Sequence, residues 1–256
     1  MELHVLNLNL GITAIYDEFA SLIWVNRYQN IGDCEVYVPA TDENLQIFRM
    51  NYYLARPDDD MVCQIKKIEI TTDPDEGNYL IVTGYDVKRL LDQRIVWDTI
   101  NNNGTQEAFL RRLVSESMIS PGDANRRMKK ANSGSLVALG DLAGFEASST
   151  EQVSYVQVGT KVRETCVKNG WGYRMPKKNG ALAFELYAGV DRSNSVKFSA
   201  EFENIAETAY SDDETNLGNV ALIGGEGEGS NRKMQTYGNS VGIYRSEKFV
   251  DANDTA

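Results

Sequence analysis

The chain has 256 residues, of which 42% are hydrophobic and 25% charged, the composition of a folded globular protein rather than a disordered one. Its formal charge of −11, from 37 acids against 26 bases, repels both a phosphate backbone and an anionic membrane surface, so nucleic acid and membrane lipid are excluded as expected partners. No apolar run approaches the ~20 residues that span a bilayer, and Met1-Glu2-Leu3-His4-Val5 lacks the basic and apolar regions of a signal peptide. The chain is therefore expected to be made in the cytoplasm, reaching the outside, if it does, by another route.

The first ninety or so residues read as strands and turns. Leu6, Leu8 and Leu10 alternate until Gly11 breaks the run, and Cys34, Val36 and Val38 alternate between the turn Asn30-Ile31-Gly32-Asp33 and Pro39. From Met61 to Ile70 the apolar parity flips at Lys66-Lys67, which predicts a β-bulge or strong bend there. Asp73-Pro74-Asp75-Glu76-Gly77 has the composition of a hairpin loop, and Tyr79–Thr83, apolar on both faces, reads as a central strand.

After Gly84 the period changes. Tyr85–Leu91 predicts a short helix, and a clearer one follows, with Thr105 as N-cap, Glu107 in the first turn and Phe109, Leu110, Leu113 and Val114 as its apolar stripe. Between them, Asn101-Asn102-Asn103-Gly104 reads as a loop, and residues 120–150 carry little periodic signal. Tyr155, Val158, Val162 and Cys166 fall at helical spacing ahead of a Gly170 cap. A hairpin then joins Tyr173–Met175 to the alternating Leu182, Phe184 and Leu186, and from about Ser195 onward strands and glycine-rich turns return. The fold class expected is α+β and β-rich: a β domain over 1–92, an inserted α+β domain over 93–194, and a second β segment over 195–256.

Chemistry-bearing residues are sparse. His4 is the one histidine, so a nucleophilic triad would have to use it, and a strand histidine is more often a surface or packing residue. Cys34, Cys63 and Cys166 are odd in number and far apart, fitting neither a disulfide framework nor zinc-ligand spacing, and are expected to be buried. Glu226 with Glu228, expected on one strand face, and Asp251 with Asp254 are the acid pairs a glycosidase would need. Asp58-Asp59-Asp60 lacks the spacing of a calcium loop and reads as a solvated turn. Gly224-Gly225-Glu226-Gly227-Glu228-Gly229 lacks the Lys-Ser or Lys-Thr of a phosphate loop and would face the phosphate with two glutamates. Trp24, Trp97 and Trp171 fit core or interface better than a sugar platform. The expectation is a non-enzyme with no catalytic, metal or cofactor residues and no cofactor, its binding residues unassigned.

Three stretches carry a family resemblance: Leu22-Ile23-Trp24 with Gly32-Asp33-Cys34-Glu35-Val36-Tyr37-Val38-Pro39-Ala40; Ile68-Glu69-Ile70-Thr71-Thr72-Asp73 with Asn78-Tyr79-Leu80-Ile81-Val82-Thr83-Gly84; and Asn219-Val220-Ala221, Gly225-Glu226-Gly227-Glu228-Gly229 and Phe249-Val250-Asp251-Ala252. In order and spacing they resemble the tail-tip hub proteins of siphophages and prophages. The resemblance implies barrel-like domains with an inserted α+β domain. It also implies a homotrimer closing a ring at the virion tail tip, with the distal tail and tail tube proteins as partners and the host cell surface as a further contact. Three chains with two similar barrels each would match a hexameric tube. Relatives continue beyond the Phe-Val-Asp-Ala stretch, so the close at Asp254-Thr255-Ala256 leads to the expectation of a truncated last barrel. The competing reading is a carbohydrate-binding module for bacterial cell-surface glycans.

Overall fold

The structure, a computed structural model, describes residues 1–73, 77–202, 204–205 and 207–252. Strand β1 (Leu3–Leu6) stops where the Asn7 side chain accepts the backbone N–H groups of Asn9 and Gly11, at 2.9 and 3.1 Å. That side-chain-closed turn, with Leu10 at φ 62°, overrides the Leu6–Leu8–Leu10 alternation and leaves Leu8 exposed in the turn. The chain then continues through β2 (Ile12–Tyr16), β3 (Ser21–Val25), β4 (Asp33–Pro39), helix α1 (Asp42–Ile47), β5 (Tyr53–Ala55), β6 (Val62–Asp73) and β7 (Gly77–Asp86). Helix α1, absent from the sequence reading, starts at Thr41, whose side chain accepts the Asn44 N–H.

The seven strands form one antiparallel sheet in the order β2-β1-β5-β6-β7-β4-β3. β7 is central, as its two-sided apolar pattern predicted, and the predicted bulge lies at Lys66, where the ladder passes from Ile65↔Gly84 to Lys67↔Thr83. Asp73 and Gly77 close the β6–β7 ladder; the hairpin-loop residues Pro74, Asp75 and Glu76 lie outside the described residues.

β2 and β3 are the two edges of this sheet, yet only residues 17–20 separate them in sequence. At ~3.4 Å per residue their adjoining ends are no more than about 17 Å apart, so the sheet must curl strongly. Among the described residues no ladder joins those edges. The barrel-like domain is therefore a curled open sheet, not a closed barrel. Helix α1 lies beside β2: Asn44 Nδ2 donates to the Tyr16 hydroxyl at 2.9 Å, and Phe48 meets the Tyr16 ring edge-on at 5.2 Å. A helix beside an unpaired strand protects it from a foreign strand.

Both faces of the β1–β5–β6 region are buried, by alternate residues. Val5, Leu54 and Cys63 point into a core enclosed by the curl with Val36, Val38, Leu80 and Val82, while Leu6, Tyr53 and Val62 point the other way into a second core. That second core is built by the following residues: a 3-10 turn at Val87–Gln93, β8 (Ile100–Thr105), α2 (Gln106–Val114), β9 (Val137–Leu139), β10 (Ser148–Val153), α3 (Val158–Asn169), β11 (Trp171–Arg174), β12 (Lys177–Lys178) and β13 (Ala181–Ala188). α2 forms as expected, its Thr105 side chain accepting the Ala108 N–H, and α3 ends at Gly170 with φ 69°. β13 lies between β11 and β12, with β9 alongside in parallel.

Three expectations are corrected here. Asn101-Asn102-Asn103-Gly104 is not a loop but part of β8, paired with β10 through Asn103↔Thr150 and Asn102↔Glu151; the side chains themselves bridge, Thr150 Oγ1 donating to Asn103 Oδ1 at 3.1 Å. The helix expected at Tyr85–Leu91 is displaced, because Tyr85 and Asp86 remain in the β7 ladder and the turn starts only at Val87. Tyr155 precedes α3 in a left-handed conformation, φ 57°, and so is not on its apolar face.

Glu107 ties this layer together. Its buried carboxylate accepts the N–H groups of Ala143, Gly144 and Phe145 at 2.7, 2.9 and 2.9 Å, anchoring the β9–β10 connection to the start of α2. Charge-assisted bonds of this kind are individually worth about 1.5–3 kcal/mol. Glu107→Ala is expected to lower stability by about 2–3 kcal/mol, read as a lower urea midpoint at unchanged slope.

The chain divides into two compact units, 1–191 and 192–256. In the second, β14 (Val220–Gly224) is the centre of a three-stranded sheet, antiparallel to β15 (Met234–Tyr237) and parallel to β16 (Glu247–Asp251).

Candidate functional site

The acids and the histidine picked out by sequence do not converge. His4 lies in β1 opposite Ile15 and Ala55, 3.8 Å from the Glu2 carboxylate. It lines a cleft of about 250 Å³ with Arg56, Asp59, Asp60 and Lys177, and the lining residues include no hydroxyl or thiol nucleophile. Asp58, Asp59 and Asp60 are engaged separately: Asp58 with Arg56, Asp59 with Asn26 and the Met61 N–H, and Asp60 with Arg174. Among the described residues no group of three or more metal-ligating side chains gathers.

Glu226 and Glu228 follow the end of β14 at Gly224, so they belong to a turn and not to a shared strand face. Glu226 is an open surface group 3.7 Å from Lys233 Nζ. The Gly225 N–H, which a phosphate loop would present to its ligand, is bonded to the Lys233 carbonyl. Asp251 pairs with Arg232, and Asp254 lies outside the described residues. Cys34, Cys63 and Cys166 are free and buried; burial pushes the Cys166 thiol up to about 12, which keeps it protonated and unreactive at neutral pH.

A cluster of buried polar groups joins the seven-stranded sheet to the α+β layer. Lys88, fully buried, sits 3.2 Å from Asp86 Oδ2, donates to the Arg27 carbonyl at 2.6 Å and lies 5.0 Å from the Tyr173 ring centroid. Burial raises the Asp86 carboxyl above the usual carboxylate range, with Lys88 opposing that shift, and burial likewise raises the Tyr173 phenol. Nearby, Arg163 pairs with Asp92 at 2.9 Å.

The β3–β4 loop closes over the same junction. The Tyr28 hydroxyl donates to the Gly170 carbonyl at 3.0 Å and accepts the Gly189 N–H at 2.7 Å, and Gln29 Nε2 donates to the carbonyls of Cys166 and Trp171. A Cβ on Gly172 would stand 2.3 Å from the Tyr28 ring, so only glycine lets that ring seat. These groups hold the two layers in register. No sequence signal marked Lys88, which lies between Val87 and Arg89 without periodicity of its own.

What the surface offers is binding area. Trp171 is buried and stacked on Phe145 at 4.2 Å, and Trp24 packs against the sheet core. Trp97, by contrast, is 49% exposed. The second unit is apolar outward: Tyr210 and Ile243 are 90% and 92% exposed, and Val220 is its one buried large apolar side chain among the described residues.

The family model described as Siphovirus ReqiPepy6 Gp37-like protein matches residues 2–256. No curated protein sequence matches. Among solved structures, the tail protein from Neisseria meningitidis MC58 is similar with TM-score 0.63 at 10% identity, over 99% of this chain and 72% of its own. Prophage tail protein gp18 from Listeria monocytogenes EGD-e is similar with TM-score 0.55 at 13% identity, over 99% of this chain and 73% of its own. At such identities the likeness is one of fold.

Proposed function

We propose, from the premise that this chain belongs to the Siphovirus ReqiPepy6 Gp37-like family, that it is a structural component of a phage or prophage tail and acts at the tip as a baseplate hub. The observation that carries this reading is the family match over residues 2–256, joined to a fold shared along 99% of the chain with two tail proteins. In this reading three copies close a ring. The β segments 1–92 and 195–256 form its wall, the α+β segment 93–194 decorates it, and the distal tail and tail tube proteins are its neighbours.

Physical support comes from the curled sheet and its rigid backing. Because Leu6, Tyr53 and Val62 share a core with α2, α3 and β13, the wall and its decoration in residues 1–191 would move as one body. A ring wall needs such stiffness, since a packed core shifts only at the cost of voids or overlaps. The scattered acids and the Gly225 N–H engaged by the Lys233 carbonyl support a role without catalysis.

Light scattering tests the reading. The expected mass is three times that of the 28.6 kDa chain. The same preparation, run in a gel containing peptidoglycan, is expected to clear no zone. A monomer at every concentration would refute the hub, and a cleared zone lost in Glu226→Gln or Glu228→Gln would refute the non-catalytic role.

A further inference from the structure

An aromatic and arginine patch lies where the segment before β8 meets the segment before α3. Val96 and its neighbours are paired with residues 155–157: the Tyr155 N–H bonds to the Val96 carbonyl at 2.8 Å, the Val96 N–H to the Val156 carbonyl at 2.9 Å, and Ile95 bridges Gln157. This pairing displays Ile95, Trp97, Tyr155 and Val156 together on the surface. The Arg126 guanidinium stacks on the Trp97 ring, 4.1 Å from its centroid, and Arg94 Nε donates to the Arg126 carbonyl at 2.8 Å. Among the described residues neither arginine has a carboxylate within ion-pair distance.

Tyr155 is the telling residue. Its φ of 57° is a conformation that disfavours a bulky side chain, yet that side chain is 74% exposed and adds little to the core. Strain spent on displaying a side chain is a mark of recognition rather than of folding. Tryptophan, tyrosine and arginine are also the residues that dominate binding energy at protein interfaces.

The complementary surface lies on the same chain. Beside β2 and α1, a cleft of about 340 Å³ is lined by Ile15, Tyr16, Asp17, Glu18, Glu43 and Ile47, among others. The three acids share this lining, and Glu18, Glu43 and Asp17 all bear electrostatically on Tyr16. None of them has an ion-pair partner among the described residues. Unpaired guanidinium groups with aromatic anchors, and a cleft that joins Ile15 and Ile47 to unpaired carboxylates, match in charge.

We infer that the Trp97–Arg126–Tyr155 patch of one copy docks into the acid-rimmed cleft beside β2 and α1 of a second copy. This rests on the self-assembling ring of the hub reading and names the contact that would join its subunits. Such a contact is head-to-tail, with different surfaces meeting, which is the kind that closes rings.

Charge reversal tests it on the full chain. Arg126→Glu and Glu43→Arg are each expected to weaken self-association by about 30-fold or more, and the double variant to recover most of that loss. Tyr155→Gly, which relieves the left-handed strain and keeps the Val96 bond, is expected to weaken association while leaving the thermal midpoint unchanged or raised. A wild-type chain that is monomeric throughout would remove the hub reading and this contact together. A wild-type trimer indifferent to Arg126→Glu and Tyr155→Gly would overturn this contact alone. So would a double variant no better than either single, or a patch whose substitution abolishes only the binding of an anionic cell-wall glycan.

Discussion

Replacing Asp86 with alanine is expected to lower the unfolding free energy by about 3–5 kcal/mol, the usual result of stranding one member of a buried ion pair. Lys88 would be left buried beside the Tyr173 ring and the Arg27 carbonyl with no carboxylate partner. The substitution also removes the cap of the Val87–Gln93 turn, where Asp86 accepts the Lys88 N–H at 3.0 Å. The partner change is expected to be milder. In Lys88→Met the carboxyl, already raised by burial, can take up a proton, and a methionine fills much of the vacated volume. That variant should deepen a pH dependence of definite sign, because Lys88 no longer opposes the upward shift. With its pKa higher folded than unfolded, Asp86 contributes stability that is fully present below the unfolded value near 3.9 and lost as pH rises through the raised folded value. Urea midpoints of Lys88→Met that stay flat or climb across that window would contradict this account of the junction.

The second large effect is proteolytic. At concentrations where the chain is monomeric, trypsin is expected to cut residues 192–256 at least ten times faster than residues 1–191, leaving the latter as a resistant fragment. The reason lies in burial. Each ordered residue costs about 1–2 kcal/mol of backbone entropy, and a buried large apolar side chain returns about 1.5–3 kcal/mol. Residues 1–191 hold two extensive cores, whereas the described part of the second unit buries Val220 alone at that size. Arg192, Lys197, Arg232, Lys233, Arg245 and Lys248 supply the cleavage sites. Assembly should slow cutting there by about tenfold as the exposed aromatics gain partners, a change read by gel densitometry. Equal resistance of both units in the monomer would show that the second unit is stable without a partner.

Much of the fold was legible because burial and periodicity coincide in it. β4, β7, α2 and α3 each bury one consistent set of residues, and the bulge at Lys66 showed itself as a parity flip between Ile65 and Ile68. Errors arose where side-chain hydrogen bonds decide the backbone. Asn7 ends β1 ahead of the apolar alternation, and the asparagines of β8 are held in a ladder through Ser149, Thr150 and Gln152. Helix α1 is too short for its period to register, and the Thr41 cap with Asp42 and Glu43 in the first turn was its available sign. At the surface the limit is of another kind. Composition could weigh three tryptophans together but could not single out Trp97, because the pairing that exposes it joins residues about sixty positions apart.

The central claim, a ring-forming tail hub, is tested most directly by electron microscopy of the purified wild-type chain in negative stain. The account predicts class averages of closed rings with threefold symmetry, each of three chains. Fields of single compact particles, or open filaments without closure, at concentrations where light scattering shows association would contradict it.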